Sequence, residues 1–479
     1  MRSVISIIPL RSKLYKCFFL IAAEKGIDEK GVKCYNSIVA ERGAAAQYYK
    51  NDPKTIPVEI SGGSLMKGMY SMNIKPQKGM QEYLPEAAAQ RDRLMSLILE
   101  TYTKCGFTRI YTPAVESAEN LDKSDGGDNL NLIFKILKRG DKLAAALAKT
   151  PVDEKELCDL GLRYDLTLPL SRYYANNRSS LPNPFKCIQI DKVYRAERPQ
   201  RGRLREFVQC DIDILGSDSI CSEIELISVT AKALGKIGIG KFKVRVNDRR
   251  ILRDSLKNMG FPEEALDSVS VSFDKLDKIG ADGVAEELRE KQMPETAVTA
   301  LRELLEKDSI TLDDMERCCS DNAKDTIAQL RTIIGTADKL SPDYSVVYDP
   351  SLVRGQGYYT GTVFEVASEK FGGTVAGGGR YDGLIGRFTG ENIPAVGFSI
   401  GFERIFSIVT ENNIQLSGSR PRTAILYKAE DILAAIERSA ELEDSADVTL
   451  VLVPNPKKAD KIYTRTKNAG FDEIIKLQM

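Results

Sequence analysis

The sequence predicts an α+β fold: an antiparallel sheet flanked by helices, with a helical insertion and a small C-terminal α/β domain. Three observations predict it. Residues 187–194 and 207–214 read as two strands joined by a loop with Pro199 and Gly202, which makes a β-hairpin. From about Asp248 to Pro342 the pattern becomes mainly helical and charge-rich, and strand-like sequence resumes at Tyr344–Tyr348. Beyond about Ser417, a linker with Gly418, Ser419 and Pro421 leads into five short elements in β-α-β-α-β order.

Composition narrows the chemistry. At 479 residues the chain exceeds one typical domain. Lys and Arg number 68, as do Asp and Glu, so contact with nucleic acid has to come from local patches rather than overall charge. The nine cysteines include no Cys-x-x-Cys pair, which fits a reducing compartment and argues against a disulfide frame or a structural zinc site. Histidine is absent. That excludes a His general base, a Ser-His-Asp triad and His-ligated metal. Chemistry then rests on Arg, Asp, Glu, Tyr, Gln and Thr, or on a bound metal, which suits phosphoryl or nucleotidyl transfer, where the protein mainly positions groups and neutralises charge.

In chain order, residues 1–71 stand apart. Arg11, Lys13 and Lys16 precede an apolar run, Cys17–Ala23, that is too short to span a membrane. A secretory signal, an organellar presequence, a weakly ordered extension and an upstream start all remain open. A helix is expected from about Glu86 to Cys105, with Leu94, Leu97, Ile98, Tyr102 and Cys105 as its apolar stripe and Gly106 as its stop. A strand over 107–112 should follow. In Leu162–Pro169, Asp165 and Thr167 are two apart and would share a face of a strand, or else serve a neighbouring turn.

The hairpin is the most informative stretch. Val208, Cys210, Ile212 and Ile214 point one way, and Gln209, Asp211 and Asp213 the other. Gln209 and Asp213 lie roughly 13 Å apart along the strand, a span that suits a small polar molecule. The loop carries Arg195, Arg198, Arg201, Arg203 and Arg205. Guanidinium groups pair bidentately with phosphate, although a solvated basic loop has the same composition. Helices are then expected over 223–234, 274–279, 284–291, 297–306 and 322–334, and a strand over 241–247. The C-terminal strands fall at 424–427, 448–453 and 472–477, with helices at 432–443 and 457–468.

This hairpin resembles motif 2 of the class II aminoacyl-tRNA synthetases, in its histidyl form. The helix-strand unit before Pro113 resembles motif 1, and Pro394–Ile405, with Arg404, resembles motif 3. Leu162–Thr167 resembles a segment of eukaryotic-type histidyl enzymes. Two further runs resemble signatures peculiar to the histidyl members: Arg354-Gly355-Gln356-Gly357-Tyr358-Tyr359-Thr360-Gly361, and Gly372–Leu384 with Arg380 and Tyr381. Gly357 departs from the Asp common there. The resemblance covers residues 72–416 as a catalytic domain, with its helical insertion at about 248–342, and 421–479 as a short anticodon-binding-like domain.

The resemblance implies a two-step ligase. Histidine and ATP give histidyl-adenylate and pyrophosphate, and histidine then passes to the 3′ end of tRNA(His). Arg195 and Arg354 would flank the α-phosphate. Arg404 would hold the nucleotide from the other side, Glu197 would meet the adenine edge, Arg203 would join the ATP site and Mg²⁺ would neutralise the remaining phosphates. Asp165 and Thr167 would take the α-amino group, with Gln209 helping to hold the amino acid. Asp213 and Tyr359 would pair with the imidazole nitrogens, while Tyr358 and Tyr381 complete the pocket. Asp213 is one methylene shorter than the Glu of bacterial members. A homodimer, a cytoplasmic location and no membrane attachment follow from the same likeness. The rivals are a non-catalytic synthetase-like regulatory subunit of histidine biosynthesis and a class II synthetase for another amino acid. The zero histidine count either lets the enzyme be made when histidine runs out or is chance.

Overall fold

The computed structural model describes residues 74–477 except 123–130, 150, 274, 308, 341, 353–357, 417 and 419. The expectations for residues 1–71 and for Arg354 lie outside the described residues. The elements below belong to one unit, Pro76–Met479.

Helix α1 (Pro85–Lys104) starts on a proline, which costs no intrahelical hydrogen bond there. Leu94, Leu97, Ile98, Thr101 and Tyr102 recur at helical spacing and are buried. At its end the φ of 87° at Gly106 lets two amides fold back: Gly106 N–H bonds Thr103 O and Phe107 N–H bonds Tyr102 O. The strand expected over 107–112 shortens to β1 (Thr108–Arg109), at the edge of the main sheet. A stretch that periodicity left unassigned forms a small antiparallel sheet, β2 (Val115–Ser117), β3 (Lys135–Leu137) and β4 (Cys158–Leu162), ordered β2-β4-β3. Short helices α2 (Ala118–Asp122), α3 (Gly140–Leu147) and α4 (Glu154–Leu157) lie between its strands.

Asp165 and Thr167 do not share a strand. β4 stops at Leu162, and α5 (Thr167–Asn177) begins at Thr167 itself. Asp165 Oδ1 accepts from Leu168 N–H, so its carboxylate satisfies a donor of the first helical turn. The turn alternative therefore holds, because the polar side chain outcompetes continued strand pairing.

Strands β5 (Phe185–Tyr194) and β6 (Glu206–Leu215) make the antiparallel hairpin within two residues of the expected limits. Val208, Cys210, Ile212 and Ile214 join the main core together with α1 and α6 (Cys221–Ile237). After β7 (Phe242–Asp248) come α7 (Arg249–Asn258), α8 (Leu266–Phe273), α9 (Leu276–Glu290), α10 (Glu295–Leu305), α11 (Leu312–Cys318) and α12 (Lys324–Asp338). The two helices expected over 274–279 and 284–291 are both present within α9, as two helical stretches that meet at a kink where Gly280 takes a φ of 69°. The buried faces of these helices belong to the same apolar cluster as the sheet.

The sheet resumes with β8 (Tyr344–Tyr348), β9 (Thr362–Ser368) and β10 (Gly373–Arg380). Helix α13 (Asp382–Thr389), strand β11 (Ala395–Gly401) and helix α14 (Phe402–Glu411) follow. The eight strands run β1-β5-β6-β11-β10-β9-β7-β8, antiparallel through the middle and parallel in the β1/β5 and β7/β8 edge pairs. The chain ends in a parallel sheet, with β12 (Arg422–Tyr427) flanked by β13 (Asp447–Leu452) and β14 (Glu473–Lys476). Helices α15 (Ile432–Leu442) and α16 (Ala459–Asn468) connect its strands, and it has its own small core around Ala424, Leu426 and Val453. Among the described residues no helix is long and apolar enough to cross a membrane.

One buried ion pair ties three elements together. Arg91 of α1 donates twice to Glu403 of α14, at 2.5 and 2.8 Å. Glu403 Oε1 also accepts from Val208 N–H of β6 at 3.3 Å. The Arg91 guanidinium lies 4.0 Å from the Tyr83 ring centroid and 4.6 Å from that of Phe402. Arg91→Met strands the Glu403 carboxylate, so it should lower unfolding free energy by about 3–5 kcal/mol in a urea titration. Adding Glu403→Gln should recover most of that loss.

Candidate active site

The polar face of β6 lines a cavity of about 420 Å³ and forms its floor together with β9, β10 and β11. Gln209, Asp211 and Asp213 pair across the sheet with Gly401, Ser399 and Gly397 of β11. The glycines make room. A Cβ on Gly397 would stand 1.9 Å from Asp213 Oδ1, and one on Gly378 would stand 2.1 Å from Gly397 O.

One end of the cavity is lined with acids and phenols. Asp213 is 3% exposed; its Oδ1 accepts from Tyr381 O–H at 2.6 Å, and its Oδ2 has no partner. Burial raises its carboxyl to about 7. Asp211 is 4% exposed, and its Oδ1 has no partner either. Burial, and then the neighbouring Asp213 charge, holds its carboxyl well above the usual range. Tyr358 O–H lies 3.2 Å from Asp165 Oδ2 and 3.4 Å from Thr167 Oγ1. The Tyr358 ring meets Tyr359 and Tyr381 edge-to-face, at 5.2 and 6.0 Å between centroids.

The other end is cationic. Arg195 lies over the rings of Tyr164 and Phe207, and its Nε donates to Tyr164 O at 3.2 Å. Glu197 stands 3.9 Å from Arg195 and 3.7 Å from Arg203. Arg404 Nη1 donates to Thr374 O at 2.6 Å. Burial lowers the pKa of Arg404, and the positive charges of Arg203 and Arg195 lower it further. These guanidinium groups are close enough to repel one another, so an anion with several oxygens would relieve them. The remaining loop arginines are used elsewhere or exposed: Arg201 pairs with Glu411, Arg205 donates to Glu197 O, and Arg198 is exposed.

Most of the residues singled out in the sequence come together here. Arg195, Glu197, Arg203 and Arg404 line the cationic end, and Thr167, Gln209, Asp213, Tyr358, Tyr359 and Tyr381 line the rest. Asp165 stands behind Tyr358 rather than on the wall. The sequence reading gave no role to Phe207, Ser399, Glu365 or Asp211, all of which line the cavity. For Asp211 the signal was present, since it shares the alternation of Gln209 and Asp213.

A family model described as "Histidyl-tRNA synthetase" matches residues 79–405. The chain belongs to the histidyl-tRNA synthetase family. Among its relatives, the histidine–tRNA ligase of Leifsonia xyli subsp. xyli is 44% identical over 349 residues, covering 70% of this chain and 80% of that protein. The histidine–tRNA ligase of Porphyromonas gingivalis is 34% identical over 418 residues, covering 83% and 91%. The crystal structure of histidyl-tRNA synthetase from Nostoc sp. PCC 7120 superimposes with a TM-score of 0.68 at 26% identity, covering 84% of this chain and 90% of that one. A Bacillus halodurans protein titled as an ATP phosphoribosyltransferase regulatory subunit/histidyl-tRNA synthetase shares the fold, with a TM-score of 0.68 at 22% identity over 85% of this chain and 98% of that one. The family assignment agrees with the motifs read along the sequence and with the mainly antiparallel sheet that carries the cavity.

The raised Asp213 carboxyl has a measurable sign. Its folded pKa of about 7 exceeds the ordinary 3.8, so between those values the unfolded chain releases a proton that the folded chain keeps. Stability from this group is full below about pH 4 and is lost as pH rises through 7. The melting temperature of the wild type should therefore fall relative to Asp213→Asn across that window and level off above it.

Proposed function

We propose that this chain is a histidine–tRNA ligase, and the observation that carries the reading is the bipolar cavity. Its guanidinium end suits the phosphates of ATP. Its acid-and-phenol end suits a small amino acid with N–H donors at both extremities. In the first step a carboxylate oxygen of histidine attacks the α-phosphorus, the bond to the β-phosphate oxygen breaks, and pyrophosphate leaves. The two anions repel, and Arg195 and Arg404 offset that repulsion. Arg354, within the signature run, joins them at the α-phosphate. Glu197 and Arg203 hold the nucleotide, and Phe207 offers an aromatic face beside Arg195.

Asp213 accepts from one imidazole N–H, and Tyr359 pairs with the other ring nitrogen. Tyr381 fixes Asp213, and Gly397 leaves room for it. The α-ammonium sits toward Thr167, Gln209 and the buried carboxylates Asp165 and Asp211. A site built from such groups rejects side chains that leave them unpaired, by factors on the order of 10⁴. In the second step a hydroxyl at the 3′ end of tRNA(His) attacks the histidyl carbonyl carbon, and AMP leaves.

Mg²⁺ bound with ATP would neutralise the outer phosphates. Among the described residues no group of three or more Cys, Asp or Glu side chains is arranged to hold a metal. Residues 421–479 serve as a short anticodon-binding-like module. The exposed Lys457, Lys458, Lys461, Arg465 and Lys467 on and just before α16 would face RNA. The working form is a homodimer in the cytoplasm.

Histidine, and no other standard amino acid, should drive ATP–pyrophosphate exchange. Exchange driven by a different amino acid, or by none, overturns the reading. Arg404→Ala should lower kcat/KM in that assay by about 10²–10³ with the fold retained. Gly397→Ala, by displacing Asp213, should raise the KM for histidine and leave that for ATP unchanged.

A further inference from the structure

Two hairpin tips meet at the arginine end of the cavity. The first is the loop between β5 and β6. Gln200 and Arg203 exchange both backbone hydrogen bonds, at 3.0 and 2.9 Å, so the turn residues are Arg201 and Gly202. Gly202 takes a φ of 69°, which that turn position requires and glycine supplies. The second is the turn between β9 and β10, closed where Gly372 N–H donates to Ser368 O. Phe371 stands at that tip, half-buried and packed against the main core. Neither Phe371 nor Arg201 is part of the cavity wall, whereas Gly202, Arg203 and Arg404 are.

The Phe371 ring meets two guanidinium groups. Arg201 Cζ is 5.3 Å from its centroid and Arg404 Cζ is 5.9 Å, both within reach of a cation–π contact. The backbone of the first tip rests on the ring: a Cβ on Gly202 would stand 2.8 Å from Phe371 Cζ and 3.2 Å from Arg404 Cγ. Arg201 also pairs with Glu411 at 2.6 Å, but those side chains are 60% and 49% exposed, and such pairs contribute little. At the base of the loop, Arg205 N–H donates to Gly79 O at 2.7 Å. The loop needs holding at its tip, because it brings Arg195 and Arg203 toward Arg404, and the three repel. Among these contacts the half-buried ring is the one that touches both the loop and Arg404.

Resting on the ligase reading above, with the nucleotide at the arginine end, we propose that Phe371 is a positioning residue for ATP binding. Its ring seats the tip of loop 195–205 and the Arg404 guanidinium together. That contact fixes the spacing of the cations that meet the phosphates.

The test is calorimetric titration of the full chain with ATP and with histidine, set beside ATP–pyrophosphate exchange. Phe371→Ala should weaken ATP binding, and raise the KM for ATP, about 10-fold, with histidine binding unchanged. Phe371→Tyr keeps the ring and should restore both values. Phe371→Leu keeps apolar bulk without the ring face and should restore little. Arg201→Ala changes an exposed residue and serves should Phe371→Ala not fold; it should weaken ATP binding in the same direction. Added to Phe371→Ala, it should cost less than it does alone, because the two act through one contact. The proposal is overturned if Phe371→Ala leaves ATP affinity within about twofold of the wild type or weakens ATP and histidine alike. It also falls if Phe371→Leu restores as well as Phe371→Tyr, if Arg201→Ala leaves ATP binding unchanged, or if the two effects add in full. Because ATP binding is read directly, a wild type that binds ATP yet exchanges no pyrophosphate with histidine sinks the ligase reading and leaves Phe371 to be judged by calorimetry. A wild type that binds no ATP overturns both.

Discussion

Charge kept apart inside one cavity governs this molecule. Arg195, Arg203 and Arg404 crowd one end, and Asp165, Asp211 and Asp213 lie buried at the other. Arg195 offsets the charge of Asp165 and Asp211 only in part, and burial still dominates both carboxyls. Burial makes both arrangements expensive, because charged groups lose water and gain too few partners. The raised carboxyls and the depressed Arg404 are two expressions of that cost. A ligand pair with phosphates at one end and N–H donors at the other offsets both.

The scaffold bears this cost because the charged floor is braced from its apolar side. Val208, Cys210, Ile212 and Ile214 anchor β6 in the main core. Glu403 reaches from α14 to Arg91 of α1 and to the backbone of Val208. It sits next to Arg404 in sequence, so the contact that fastens α14 to α1 also settles where a cavity arginine begins. Close backbone approach at Gly378 and Gly397 lets side chains from neighbouring strands enter one space.

Much of this was legible in one dimension. The period-two alternation from Phe207 to Ile214 separates core from cavity, and the C-terminal elements fall within a few residues of their expected limits. The errors cluster where a local rule was overridden. Asp165 and Thr167 looked like strand neighbours, but β4 ends at Leu162, a helix begins at Thr167, and the Asp165 carboxylate accepts from Leu168 N–H. The strand after Gly106 keeps only Thr108 and Arg109 and sits at the edge of the main sheet. Residues 115–117, 135–137 and 158–162, which the sequence reading left unassigned, form a sheet of three-to-five-residue strands.

The sequence by itself determined which residue types are present, which faces they occupy and, with histidine absent, which chemistries are closed. Those properties follow from covalent order and backbone geometry. Tertiary structure alone decided which of five loop arginines turn inward, and that Asp165 spends both oxygens on protein donors while Asp211 keeps one free. Such outcomes depend on contacts between residues as much as 320 positions apart, as for Tyr83 and Glu403, and no local pattern encodes which donor reaches an acceptor first.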